Sequence, residues 1–277
     1  MTARELYAQA KRRLNEAGID AVVEPRTLFE IATGTKYTEY RGDEPMPQHA
    51  SEKLDELVDR RIKGEPLQYI AGKWPFLDFE VSVGKGVLIP RPETELVALA
   101  AIELIKDIDR PAVLDLCSGT GCIAIAIKRA MAGSDVTATE LYHDAFGFLT
   151  KNIAELAAGI NAASADVLGY EKTLGDNSFD LIAANPPYVT PAEYRDNFDE
   201  LRYEPKEAFI GGRDGLDFYR YIIENYKAKL KPGGSMLFET GFNQTEAVER
   251  IFIDTGYKNV SARCDDFGLP RMVYAEK

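Results

Sequence analysis

Residues 112–124 read Ala-Val-Leu-Asp-Leu-Cys-Ser-Gly-Thr-Gly-Cys-Ile-Ala. Five residues, apolar except for Asp115, suit a buried strand. Two glycines two apart suit a tight turn, and the alanine- and isoleucine-rich run that follows suits a helix. Strand, glycine turn and helix in that order open a βαβ unit, and the rest of the chain continues the alternation. Strands are expected at 135–139, 179–184, 235–239, 257–263 and 271–275, with a weaker one just before Asp166. Helices are expected at 121–131, 143–158, 216–230 and 244–255. The fold class that follows is α/β, a Rossmann-like, doubly wound and mostly parallel sheet.

Upstream the pattern is different. Thr2-Ala3-Arg4-Glu5 has the spacing of a capping box, and Leu6, Ala10, Leu14 and Ala17 follow on one helical face. A second helix fits Arg26–Thr33, ended by Gly34. A third fits Gln48–Lys63, with Leu54, Leu57, Val58 and Ile62 on one side and Gly64 as its stop. Phe76, Phe79, Val81 and Val83, then Gly84-Lys85-Gly86, then Val87-Leu88-Ile89, read as a β-hairpin. Pro92 suits the first turn of a helix to Ile105. The predicted organisation is a small N-terminal helical bundle over 1–73, a hairpin linker over 74–90 and the α/β domain over 91–277.

Bulk properties exclude several functions. The net charge of −12 argues against a polyanion as the main partner. The local cluster Arg60-Arg61-Ile62-Lys63 reads as a solvated helix face. Cys117, Cys122 and Cys264 have no paired spacing and no neighbouring histidine, so reduced thiols are expected and no metal site. The opening residues are charged, and the longest aliphatic run, 122–127, is far short of a membrane span. A cytoplasmic protein with no membrane partner is expected, and nothing demands more than a monomer.

Gly119-Thr120-Gly121-Cys122-Ile123-Ala124 satisfies G-x-G-x-x-A, which alone permits a nicotinamide, a flavin or S-adenosyl-L-methionine. Asp115 helps to choose. A carboxylate at the strand tip repels a pyrophosphate but suits a sulfonium and an ammonium. Glu140, at the end of the second strand, stands where an acid is expected on the ribose hydroxyls. Asp166 is a candidate for the adenine amino group, or a plain turn residue.

The fourth strand ends in Asn185-Pro186-Pro187-Tyr188. This is strong turn punctuation, and it also has a chemical reading. An amide or aromatic-amine nitrogen is a weak nucleophile because its lone pair is delocalised. The Asn185 side-chain carbonyl and the Pro186 backbone carbonyl can accept both its N–H groups, the prolines hold those acceptors still, and Tyr188 can stack on the planar target. Methyl transfer to a planar NH2 group is the expected chemistry.

These residues resemble the HemK/PrmC family, the release-factor glutamine methyltransferases. The resemblance runs over nearly the whole chain, through Pro66-Leu67-Gln68-Tyr69-Ile70, Leu88-Ile89-Pro90-Arg91-Pro92-Glu93-Thr94-Glu95, 114–121, Asn185-Pro186-Pro187-Tyr188, Glu204-Pro205 and Gly212-Arg213-Asp214-Gly215-Leu216. It implies transfer from S-adenosyl-L-methionine, leaving S-adenosyl-L-homocysteine, to the glutamine of the Gly-Gly-Gln loop of bacterial peptide chain release factors. It further implies cofactor contacts from Asp115, Cys117, Ser118, Gly119, Thr120, Gly121, Glu140, Asp166, Val167 and Asn185. The glutamine amide would be gripped by Asn185, Pro186, Pro187 and Tyr188, the substrate loop held near Arg91 and Glu93, and the release factor docked on the N-terminal helices. Three departures from the usual pattern stand out: Cys117 and Ser118 replace Gly and Thr in the first loop, Glu140 replaces Asp, and Val167 replaces an aromatic. The alternatives are a glutamine methyltransferase acting on a ribosomal protein, a nucleic-acid amino-methyltransferase, and a catalytically silent binding module.

Overall fold

The computed structural model describes residues 1–19 and 22–277. It divides into two compact units, Met1–Lys73 and Trp74–Lys277.

The first unit holds α1 (Ala3–Glu16), α2 (Glu24–Thr33), α3 (Gln48–Ile62) and α4 (Leu67–Ala71). The capping box forms: Thr2 N–H donates to Glu5 Oε2 at 2.9 Å, and Glu5 N–H to Thr2 Oγ1 at 3.3 Å. Leu6, Ala10 and Leu14 are buried with Leu28, Phe29, Leu54 and Val58. Phe29 is the hub of this core, edge-on to Tyr37 at 5.2 Å and to Tyr40 at 5.4 Å. Gly34 ends α2 in the left-handed conformation. Two expected core positions differ. Ala17 is an exposed C-cap, and Ile62 is exposed because α3 ends on it. In the basic cluster, Arg61 takes both oxygens of Glu24 at 2.6 and 3.1 Å, and Arg60 those of Glu65 at 2.8 and 2.6 Å.

The hairpin is β1 (Lys73–Phe76) and β2 (Phe79–Ser82), turning at Leu77-Asp78 and not at Gly84–Gly86. Val87–Ile89 is irregular. Its donors are used locally, the Val87 N–H on the Gly84 carbonyl at 3.3 Å and the Ile89 N–H on Glu204 Oε2 at 2.8 Å, and Pro90 follows with no donor.

The main sheet contains β3 (Ala112–Leu116), β4 (Asp135–Glu140), β5 (Asn161–Ser164), β6 (Phe179–Ala184), β7 (Leu230–Glu239), β8 (Lys258–Cys264) and β9 (Pro270–Glu276). Its order is β5-β4-β3-β6-β7-β9-β8. The first five strands in that order are parallel, and β9 runs antiparallel to both neighbours. Around it lie α5 (Pro92–Ile105), α6 (Cys122–Ala130), α7 (His143–Leu156), the short α8 (Val167–Tyr170), α9 (Pro191–Asp196) and α10 (Phe198–Leu201), then α11 (Asp217–Asn225) and α12 (Thr245–Asp254). Strand alternation builds two cores. Val113, Leu181 and Ala183 pack with Val97, Ala101, Ile125 and Leu149 on one face. Leu114, Leu116 and Ile182 pack with Tyr219, Ile222, Ile223 and Phe252 on the other.

The helix expected to reach Leu230 stops at Asn225, followed by a single 3-10 turn. Leu230 instead starts β7, opposite Phe179, so this strand begins five residues before the expected Ser235. Strand order reverses on either side of β3, and such a switch point leaves a crevice beyond the strand ends.

Candidate active site

The crevice holds a cavity with about 960 Å³ of empty space, counting the open solvent at its mouth. Its floor is Cys117–Thr120. Gly86–Leu88 and Pro90 line one side; Glu140–Tyr142, Val167 and Phe218 line another; Asn185 and Pro187 close the end.

The floor turn is wired to the strands beneath it. Ser118 N–H donates to the Thr139 carbonyl at 2.9 Å, and Gly121 N–H to the Ser118 carbonyl at 2.7 Å. Ser118 Oγ donates to the Asp115 carbonyl at 2.9 Å and accepts from Thr139 N–H at 3.1 Å. Gly119 N–H donates to Glu140 Oε2 at 3.0 Å. Gly121 has φ +82°, and a Cβ there would lie 2.6 Å from Leu149 Cδ1, so any other residue would be strained and would have to push Leu149 aside. Cys117 takes φ +57°, unusual for a residue with a side chain.

Two acids sit under this turn. Asp115 is fully buried, and neither carboxylate oxygen has a hydrogen-bond partner. Burial pushes its pKa up to about 7; the Ser118 hydroxyl and Ala124 N–H pull against this without making good hydrogen bonds. Glu140 is buried too, which raises its pKa, while N–H groups of Tyr142, Gly119 and Leu141 favour its charged form. Burial also pushes the Cys122 thiol up to about 12, and all three cysteines are free thiols.

Asn185 follows the last residue of β6, where Pro186 and Pro187 stop the strand. Its Nδ2 donates to Thr94 Oγ1 at 3.3 Å. Thr94 Oγ1 donates to Glu239 Oε2 at 2.6 Å, and Tyr188 Oη to Glu239 Oε1 at 3.4 Å. Glu239 ends β7 and is buried, which lifts its pKa to about 7.

A second loop braces the Asn-Pro-Pro-Tyr backbone. Val189 N–H donates to the Phe209 carbonyl at 2.7 Å, Gly211 N–H to the Val189 carbonyl at 3.0 Å, and Gln244 Nε2 to the Tyr188 carbonyl at 2.8 Å. Contact is so close that a Cβ on Gly211 would lie 2.7 Å from Tyr188 Cα, and one on Gly215 would overlap the Tyr188 carbonyl.

Of the expected site residues, Cys117, Ser118, Gly119, Thr120, Glu140, Val167, Asn185 and Pro187 line the cavity. Asp115 and Gly121 lie beneath it, and Pro186 is buried behind Asn185. Asp166 is exposed and caps Leu168 N–H at 2.8 Å, which fits its reading as a turn residue. Tyr188 turns its hydroxyl to Glu239. Arg91 is paired with Glu204 at 2.6 Å and Glu93 with Arg271 at 3.2 Å; none of these four lines the cavity. The sequence reading does not single out Thr94, which lines the cavity, or Glu239, which takes its hydroxyl proton. Position at a strand's carboxyl end was a usable signal for Glu239, as it was for Glu140.

Among the described residues there is no cluster of acids, histidines and cysteines that could hold a metal. Nor is there a helix long and apolar enough to cross a membrane.

A doubly wound sheet with a glycine turn over acids, and Asn-Pro-Pro-Tyr at the fourth strand, defines a class I S-adenosylmethionine-dependent methyltransferase fold. The 16S rRNA N2 G1207 methyltransferase of Thermus thermophilus, solved with AdoMet and guanosine, shares that fold. Its TM-score is 0.53 at 19% identity, covering 74% of this chain and 49% of that one. The family described as the PrmC N-terminal domain matches residues 5–72, and that described as conserved hypothetical protein 95 matches 67–207. The release factor glutamine methyltransferase of Thermodesulfovibrio yellowstonii is 37% identical over 238 residues, 83% of this chain and 84% of its own. That of Geobacter sulfurreducens is 34% identical over 278 residues, 98% and 95% of the two chains. The chain belongs to the release factor glutamine methyltransferase family.

Proposed function

We propose that this chain transfers a methyl group from S-adenosyl-L-methionine to the side-chain amide nitrogen of the glutamine in the Gly-Gly-Gln loop of peptide chain release factors, the N-terminal helical unit serving to dock that partner. The observation that carries the reading is Asn185-Pro186-Pro187-Tyr188, braced from behind and opening on the cavity at Asn185 and Pro187. Family membership supplies the acceptor.

The floor fits the cofactor. The N–H groups of Ser118, Gly119 and Gly121 are already given to protein acceptors, so a pyrophosphate would find few donors there and two acids below. A buried carboxyl without a hydrogen-bond partner, Asp115, suits a ligand carrying a sulfonium and an ammonium. Cys117–Thr120 would hold the methionine portion, Glu140 the ribose, and Val167 the adenine. Bound there, S-adenosyl-L-methionine supplies an electrophilic methyl.

The chain's own residues do the rest by positioning. Asn185 Oδ1 and the Pro186 carbonyl accept the two N–H groups of the substrate amide and orient its lone pair. Pro187 keeps that backbone rigid. The proton leaves to water after transfer; no histidine lines the cavity, and its carboxyls are Glu140 and Glu207.

The test is methyl transfer from labelled S-adenosyl-L-methionine to purified release factor, beside a Gln→Ala variant of its Gly-Gly-Gln loop. Label on the wild-type acceptor alone is expected. Label on neither, with cofactor still bound, would refute the assignment and point to another protein acceptor.

A further inference from the structure

The reacting end of the site depends on one choice that its residues do not make by themselves. The Asn185 amide has an oxygen that accepts and an NH2 that donates. Only the oxygen can take an N–H from a substrate amide. If the group were rotated by half a turn, two NH2 groups would face each other and the acceptor would be lost.

Behind Asn185 lies a chain of hydrogen bonds that removes this freedom. Thr94, in the first turn of α5, has one hydroxyl proton, and when Glu239 is ionised that proton is directed to Glu239 Oε2 at 2.6 Å. A hydroxyl whose proton is committed can only accept from its other neighbour. That neighbour is Asn185, 3.3 Å away, which must therefore present its NH2 to Thr94. Glu239 is in turn 2% exposed, held by Tyr188 Oη at 3.4 Å on its other oxygen, and its own backbone carbonyl takes Tyr219 Oη at 2.8 Å.

We propose that Glu239, acting through Thr94, is a positioning residue that fixes which end of the Asn185 amide meets the substrate. The proposal rests on the methyl-transfer reading above. Neither Glu239 nor Thr94 touches the reacting atoms in this role; both act through Asn185. The arrangement joins three elements far apart in sequence: α5, the end of β6 and the end of β7.

The experiment compares wild type, Thr94→Val, Thr94→Ser, Glu239→Gln and the Thr94→Val/Glu239→Gln double variant on release factor, with melting temperature and S-adenosyl-L-methionine affinity measured for each. Thr94→Val keeps the shape and removes the hydroxyl. Its kcat is expected to fall roughly 10- to 100-fold, with KM for release factor and cofactor affinity within about twofold of wild type. Thr94→Ser is expected to restore most of the rate. Glu239→Gln can turn either its carbonyl or its NH2 to Thr94, so a smaller loss is expected. The double variant is expected to be no slower than Thr94→Val, because both changes act along one line. A folded Thr94→Val or Glu239→Gln at the wild-type rate, a Thr94→Ser as slow as Thr94→Val, or losses that simply multiply would each overturn the proposal. A wild type that leaves release factor unlabelled would overturn the function itself, and the proposal with it.

Discussion

Asn185 and Asp115 show what a single side chain does in this site. In the proposed reaction Asn185 supplies an acceptor whose amide is held from behind by Thr94, and a pre-organised hydrogen bond of that kind carries much of the catalysis. Asn185→Ala is expected to lower kcat by roughly 10²- to 10³-fold while equilibrium binding of S-adenosyl-L-methionine persists. Full turnover in that variant would remove Asn185 from the chemistry. Asp115 is the opposite case, a fully buried group without a hydrogen-bond partner that costs stability when charged. Both were legible as residues at strand ends. The groups behind Asn185 were not, because Thr94 lies 91 residues from Asn185 and Glu239 lies 145 residues from Thr94.

At the scale of elements, the loop 211–216 explains itself only in three dimensions. Gly211 and Gly215 are needed because the backbone of Pro187 and Tyr188 runs against them, and Gly215 also holds φ +75°. Gly215→Ala is expected to displace the Tyr188 carbonyl, destabilise the protein by about 1–3 kcal/mol and cut kcat at least tenfold, on the order expected for a misplaced substrate grip. Denaturant unfolding and steady-state rates check both; an alanine variant with native stability and rate would show the contact to be slack. Most helices and strands were readable from apolar spacing, glycine stops and the capping box at Thr2. The errors fell where spacing alone is ambiguous. Tyr226 and Leu230 continue the apolar face of α11, yet Leu230 is buried as the first residue of β7. Val87-Leu88-Ile89 has a strand's composition but no strand to pair with.

For the molecule as a whole, three carboxyl groups set the response to pH. Asp115 and Glu239 are raised to about 7 and Glu140 is raised as well, mainly by burial. A raised carboxyl contributes stability below its unfolded pKa, and that contribution is lost as pH rises through the folded value. Carboxyls held low by partners, such as Asp214 at about 2 beside Arg220 and Glu65 beside Arg60, work with the opposite sign, but only below their unfolded values. The melting temperature is therefore expected to fall as pH rises from roughly 5.5 to 8, and Asp115→Asn is expected to flatten that slope. Scanning calorimetry at the two pH values reads it directly; a melting temperature that climbs over this range would contradict the burial of these groups as the controlling term.

The α/β class, the glycine turn after the first strand of the main sheet and the Asn-Pro-Pro-Tyr end of the fourth were determined by the sequence itself, because each depends on residue types within a few positions of one another. Apolar period, glycine placement and proline pairs act locally, and local physics is written in local order. Only the tertiary structure decided that Glu140 holds the Gly119 N–H and that Arg91 and Glu93 are each tied to a distant partner. It alone brought Thr94 and Glu239 behind Asn185. These depend on which strands become neighbours, and a parallel sheet with crossover helices joins residues whose separation along the chain carries no signal of their contact.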